Sequence, residues 1–278
     1  MSVKITATST CDLPQELVDR YQITIVPLYV SFGGETYRDG VDTGPEDIFR
    51  HVEAGGALPT TSAINIADYQ ALFSQLSPSY DSVLHITIGS EFSSCYQNAL
   101  VAAEDFDNVH VVDSGNLSMG QGMLVLKAAE AAAQGENTNS ILAMLDQLRD
   151  KVDTSFVVDK LDYLAKGGRC SSVVALGANL LKLKPCIVLA DGKMTVGKKY
   201  RGSLEKALSD YVADLFTGKD VDLDQIFVAN TRCDPSIPQA VYDAVRQFGF
   251  RNVLTGVAGC TISCHCGPNT LGICFFRK

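Results

Sequence analysis

Apolar and polar positions along the first half of the chain alternate between two periods. Residues 5–9, 83–88 and 109–113 are short runs of strand length, the last two mostly apolar. Between them Ile48, Phe49 and Val52 follow Pro45, and Tyr69, Leu72, Phe73 and Leu76 recur at i, i+3, i+4, i+7. That spacing predicts one apolar helix face. Residues 23–32 predict a further strand, bent at Pro27, and residues 94–105 and 123–133 predict helices. Asp12 stands where it would cap a helix entered through Pro14. Strands alternating with helices predict a mainly parallel sheet, Rossmann-like, with helices on both faces.

The second half is patterned differently. Ile141, Leu142, Leu145, Leu148 and Val152 predict an amphipathic helix, and a domain boundary falls near its end. Residues 185–190 and 194–200 flank Asp191-Gly192, a strong hairpin signal. Leu204, Leu208, Tyr211, Val212 and Leu215 give a helix with Ser203 near its start, and Ile237, Val241, Val245 and Phe248 give another that Gly249 stops. Residues 226–230, 253–262 and 271–276 predict strands. The expectation is an α/β chain of two domains. Residues 1–152 form an N-terminal α/β domain, and residues 153–278 a C-terminal α+β domain with a mixed, largely antiparallel sheet.

Composition narrows the partners. The 278 residues carry a net charge of -9, which argues against nucleic acid or an anionic membrane surface, since both call for a basic face. No apolar run approaches 18 residues, and the N-terminus lacks the apolar core of a secretory signal. These features predict a cytoplasmic protein without integral membrane association, and a monomer is expected. Nine cysteines are an odd number, a poor fit to a fully paired disulfide framework.

Candidate chemistry lies in four places. Hydroxyls follow the predicted strands: Ser9 and Thr10, then Ser90, Ser93 and Ser94, then Ser114. Open α/β sheets bind ligands at these strand ends, and helix N-termini favour anions. The same serines and threonines equally suit simple helix capping. Pro59-Thr60-Thr61-Ser62 is either an anion-binding loop or a loop ending in a cap. Lys166-Gly167-Gly168-Arg169 puts two cations on one tight turn, for a carboxylate or phosphate or merely at a solvated helix end. Lys198, Lys199 and Arg201 form a further basic run. Cys260, Cys264, His265 and Cys266 superficially suggest zinc, but no distant second pair completes the ligand set. Read as a strand, this stretch would turn the three thiols to one face and His265 to the other. Gly120-Gln121-Gly122 lacks the third glycine of a dinucleotide fingerprint, and neither a P-loop nor a G-x-S-x-G elbow is present.

Eight segments in order resemble the DegV family across essentially the whole chain. They are Ser9-Thr10-Cys11-Asp12-Leu13-Pro14, Tyr37-Arg38-Asp39-Gly40-Val41-Asp42, Pro59-Thr60-Thr61-Ser62, Ser93-Ser94-Cys95-Tyr96-Gln97 and Val112-Asp113-Ser114. Leu161-Asp162-Tyr163-Leu164-Ala165-Lys166-Gly167-Gly168-Arg169, Leu183-Lys184-Pro185 and His265-Cys266-Gly267-Pro268 complete the set. The resemblance implies a carrier that holds one long-chain fatty acid in a buried tunnel, with no other cofactor, and presents it to a separate ATP-dependent fatty-acid kinase. It implies that Thr61, Ser62, Ser93, Ser94 and His265 meet the carboxylate. It also implies that Arg169 and Arg201 contact phosphate or the partner. No catalytic residue or metal ligand is implied. The alternative is an enzyme acting on an acyl substrate with Ser93 as nucleophile and His265 as base.

The chain departs from the family's pattern in places. Thr8 replaces an acid before Ser9-Thr10, Ser94 replaces a glycine, and Asn269 replaces the last glycine of Gly-Pro-Gly. Asn tolerates the left-handed conformation that position would require. Cys170 and Cys186 stand for aliphatic residues, and Cys11 and Cys95 for hydroxyls. Most of the cysteines therefore read as small packing residues.

Overall fold

A computed structural model describes residues 2–170 and 183–278. Val3–Thr8 (β1), Thr24–Val26 (β2), Ser82–Thr87 (β6) and Val109–Asp113 (β7) form a wholly parallel sheet in the order β2-β1-β6-β7. All six residues of β6 are buried. Such burial on both faces is what a near-continuous apolar run produces in a parallel sheet.

A second sheet has six strands: Val152–Val157 (β8), Leu183–Ala190 (β9), Lys193–Arg201 (β10), Val221–Asn230 (β11), Asn252–Val257 (β12) and Leu271–Arg277 (β13). Its order is β10-β9-β8-β13-β11-β12, antiparallel throughout except for the parallel β11–β12 pair. The α/β class and the mixed second sheet agree with the sequence pattern. So does the β9–β10 hairpin, where Asp191 and Gly192 both take positive φ at the turn.

The helices between β1 and β8 are Gln15–Arg20 (α1), Pro45–Glu53 (α2), Ile66–Leu76 (α3), Cys95–Ala103 (α4), Ser118–Ala133 (α5) and Thr138–Arg149 (α6). Asp162–Gly167 (α7), Leu204–Leu215 (α8), Ser236–Arg246 (α9) and Cys260–Cys266 (α10) follow. Helix α5 packs against β1 of the parallel sheet and against β8, β11 and β13 of the mixed one. A helix buried on most sides is apolar over most of its surface, as α5 is, with Lys127 and Glu130 paired at one edge. Its residues Met119, Met123, Leu124 and Leu126 share one core with Ile5 and Ile86 on one side and Phe227 and Cys274 on the other.

Five details depart from the sequence expectation. The predicted strand over 23–32 is two strands in different sheets. The break falls at Pro27, which has no N–H to donate. The second piece, Tyr29–Phe32 (β3), joins Glu35–Arg38 (β4) and Thr60–Ser62 (β5) in a small antiparallel sheet that the pattern did not announce. Helix α5 begins at Ser118 rather than 123. Its glycines serve close packing, because a Cβ on Gly120 would lie 2.0 Å from Asn116 Oδ1 and one on Gly122 2.5 Å from the Cys11 carbonyl. Helix α6 ends at Arg149, so Val152 opens a strand. Asp12 caps no helix of its own: it sits at φ 49 after a short 3-10 turn, and α1 begins behind Pro14. Finally, the predicted strand over 253–262 stops at Val257, and Cys260–Cys266 is helical. The facing of thiols and imidazole expected for a strand does not apply.

Candidate functional site

The three-stranded sheet and α10 border a narrow cavity of about 50 Å³. Its apolar wall includes Leu28, Ile88, Phe92, Leu117, Phe156 and Met194, and its polar lining includes Thr61, Ser62, Ser93, Arg169, Thr261 and His265. The cavity is thus mostly apolar with several polar side chains in its lining, the ordinary make-up of a small-molecule site.

Thr61 and Ser62 are delivered by β5, which pairs with β3 in the register Val30↔Thr61 and Tyr29↔Ser62. His265 lies in the last turn of α10, and its Nε2 is 2.8 Å from Thr61 Oγ1. Two residues 204 apart in sequence are joined directly. The other ring nitrogen, Nδ1, is buried without a hydrogen-bond partner. It faces Gly167, where a Cβ would come within 2.3 Å of it. Glycine is therefore required at 167 by contact, and at 168 by a left-handed φ of 67. Burial, with the positive charge of Arg169 second, pushes the His265 imidazole down to about 4, so the ring is neutral at neutral pH. Neutral, it carries one N–H and one lone pair. When Nε2–H donates to Thr61 Oγ1, the threonine hydroxyl is left free to donate into the cavity.

Ser93 precedes α4. Its Oγ accepts from the Cys95 N–H at 3.3 Å and donates to Cys95 Sγ at 3.2 Å. A thiol is a weak acceptor, so this hydroxyl proton is loosely held. Ser94 occupies the N-cap position of α4 with no side-chain capping bond, is exposed, and lies outside the lining. Arg169 reaches the cavity edge while its Nη1 donates to the Gly167 carbonyl at 2.8 Å. Arg201 ends β10, exposed and away from the lining. The fold therefore brings together Thr61, Ser62, Ser93, Arg169 and His265, and leaves Ser94 and Arg201 outside. It does not join Ser93 to His265, whose hydrogen bond goes to Thr61.

Other hydroxyls at strand ends are bonded internally. Thr10 Oγ1 donates to Gln121 Oε1 at 2.9 Å, and Ser114 Oγ donates to the Asn116 carbonyl at 3.1 Å. For these two, capping and core satisfaction describe the geometry. Among the described residues no group of three or more His, Cys, Asp or Glu is arranged to hold a metal ion. Cys264 packs with Cys260, Val30 and Ile48 away from the cavity, whereas Cys266 lines it. Burial pushes the Cys266 thiol up to about 12, which leaves it a packing group rather than a nucleophile.

Two acids have a role that sequence reasoning does not assign them: Asp12 reads there as a cap for α1, and Asp39 only as part of a motif. Asp12 and Asp39 are both buried, and both direct their carboxyl groups to the first residues of α10. Asp12 follows a 3-10 turn and Asp39 forms an isolated bridge with Thr43. Nothing local marks partners 247 and 221 residues away.

The family model described as "Uncharacterised protein, DegV family" matches residues 2–278. A DegV domain-containing protein of Caldanaerobacter subterraneus is 31% identical over 281 residues, covering 99% of each chain. Among solved structures, a DegV family protein of Thermus thermophilus described for its fatty acid binding superposes with a TM-score of 0.89 at 32% identity, covering 100% of both chains. A stearic acid-binding protein of Eubacterium ventriosum gives 0.85 at 29%, covering 99% of this chain and 98% of its own.

Proposed function

The chain belongs to the DegV family, and from that premise we propose that it binds one long-chain fatty acid in the cavity, with the carboxylate at the hydroxyl and imidazole groups. The observation that carries this reading is the Thr61–His265 pair, hydrogen-bonded at 2.8 Å in the lining of a mostly apolar cavity. Thr61, Ser62 and Ser93 supply hydroxyl donors, and Ser94 adds one from the start of α4 if the ligand draws it in. His265, neutral when the site is empty, gains a proton more readily once an anion lies beside it. The acyl chain goes against Leu28, Ile88, Phe92, Phe156 and Met194. At about 0.8 kcal/mol per buried methylene, a chain of some 14 carbons contributes on the order of 10 kcal/mol, enough for ligand to persist through purification.

The role is that of a carrier rather than an enzyme. It presents the carboxylate to a separate ATP-dependent fatty-acid kinase, with Arg169 and Arg201 meeting the phosphorylated product or the partner protein. Both arginines are exposed, as contact with a second macromolecule requires. Among the described residues no helix is long and apolar enough to cross a membrane. The proposal places the protein in the cytoplasm, where an acyl chain needs shelter from water. It keeps the division into residues 1–152 and 153–278, with the cavity between the parts.

Solvent extraction of the purified protein followed by mass spectrometry tests the core of this reading. A stoichiometric C14–C20 acid is expected, with its loss in Thr61→Val. Reproducible absence of any acid, together with failure of delipidated protein to take up palmitate or oleate, overturns it. Incubation of the loaded protein with a fatty-acid kinase and ATP tests the carrier role, the expected product being an acyl phosphate that stays with the protein.

A further inference from the structure

Helix α10 carries His265, Thr261, Ile262 and Cys266 to the cavity, yet it is only seven residues long. A helix that short does not hold itself in water, because nucleation costs more than two turns return. Its position is therefore set from outside. Gly259, at its N-cap, has no side chain to cap it, and the caps come from two distant acids. Asp39 Oδ1 accepts from the Cys260 N–H at 2.8 Å. Its Oδ2 accepts from the Thr261 N–H at 3.2 Å, from Thr261 Oγ1 at 2.7 Å and from Ser9 Oγ at 3.0 Å. Asp12 Oδ1 accepts from the Gly259 N–H at 2.8 Å, and its Oδ2 lies 2.6 Å from Ser118 Oγ. A Cβ on Gly259 would stand 3.1 Å from Asp12 Oδ1 and 3.3 Å from Asp39 Oδ1, so the glycine admits both carboxyl groups at once. At the other end Thr270 Oγ1 donates to the Cys266 carbonyl at 2.9 Å.

The two acids differ in what they require. Asp39 accepts a backbone N–H at each of its two oxygens, from Cys260 and from Thr261, a pair that an amide cannot match because its NH2 would face one of them. Asp12 faces one N–H donor and one hydroxyl, and a hydroxyl either gives or takes a proton. Asp39 is also linked to a further lining residue, because Ser9 Oγ accepts from the N–H of Leu28 at 3.2 Å.

We propose that Asp39 is a positioning residue for the binding site. As a carboxylate clamped on the start of α10, it fixes the helix so that His265 Nε2 meets Thr61, with Asp12 as a secondary clamp that works equally well as a neutral group. The link to ligand rests on the fatty-acid reading above. The link to His265 does not.

The test uses the full chain with 15N-labelled histidine. In ligand-free protein, Asp39→Asn turns an amide N–H2 toward backbone donors and is expected to move the His265 ring 15N resonances toward the values of a tautomer mixture. Palmitate affinity is expected to fall at least tenfold. Asp12→Asn keeps an acceptor for Gly259 and gives Ser118 a donor, so its His265 signals stay at the wild-type positions and affinity changes less than twofold. Should Asp39→Asn fail to fold, Thr261→Val removes one of the four bonds and is expected to give the same resonance shift at smaller size. Unchanged His265 signals in Asp39→Asn or, if that variant does not fold, in Thr261→Val overturn the proposal, as does an Asp12→Asn as disruptive as Asp39→Asn. If wild-type protein binds no fatty acid, the fatty-acid reading fails, while the resonance comparison still decides the positioning role.

Discussion

Two helices open beside the cavity, and they are capped in opposite ways. Helix α4 is capped from next door: Ser93, two residues before Cys95, accepts its N–H. Helix α10 is capped from 221 and 247 residues away by Asp39 and Asp12. The near cap is part-buried and modest in effect. The bonds from Cys260 and Thr261 to Asp39 are buried, so removing Asp39 strands backbone donors away from water. A local cap starts a helix; a remote one also fixes where the helix lies against the rest of the molecule.

That contrast sets the order of expected effects. Asp39→Ala removes the acceptor of two backbone N–H groups and two hydroxyls, and is expected to destabilise the protein by about 3 kcal/mol in urea unfolding. A loss under about 1 kcal/mol would mean that water replaces the carboxylate and that the cap is not sealed. Gly167→Ala drives a methyl group into His265 Nδ1, at an expected cost of about 1–3 kcal/mol. Palmitate binding should weaken at least tenfold, as isothermal titration would report. Retained affinity would show that the ring reaches its ligand without the Gly167 contact.

The third effect is a pH dependence. Burial pushes the Asp12 carboxyl up to about 8, with the negative charge of Asp39 acting in the same direction. Between pH about 4 and 8 the folded chain holds a proton that the unfolded chain has released. Its contribution to stability is therefore present in acid and lost as pH rises through 8. Asp12→Asn removes this dependence. Its stability relative to wild type should rise by more than about 1.4 kcal/mol between pH 5 and pH 9, the worth of one pKa unit. A constant difference would mean that Asp12 is ionised throughout. Last come the serines of α4: Ser93→Ala should cost about 1 kcal/mol, and Ser94→Ala, exposed and without a capping bond, less than about 0.5 kcal/mol.

The same distinction separates what was legible in the sequence from what was not. The start of α4 was visible in its serines, and α3 in the spacing of Tyr69, Leu72, Phe73 and Leu76, of which Tyr69 and Phe73 are fully buried. The β9–β10 turn was visible in Asp191-Gly192, and Asn269 takes the left-handed φ of 60 that its place in Gly-Pro-Asn requires. Thr61 and His265 were each singled out by motif, and the fold puts them in contact. The pattern runs the β12 strand on into the start of α10 because Cys260, Thr261 and Ile262 carry no strong helical preference of their own. The three-stranded sheet was missed because β3, β4 and β5 are three or four residues each, too short for periodicity to register.

Sequence by itself determined the local elements, the α/β class and, through eight ordered motifs, the family. These depend on residue spacing and turn chemistry, which act over a few positions. Only the tertiary structure decided that Pro27 hands the chain from one sheet to another, that α10 is a helix, and that its start is held by Asp12 and Asp39. The reason is physical. Buried backbone donors must find acceptors wherever the fold brings them, and a carboxylate two hundred residues away serves as well as a neighbour once water is excluded.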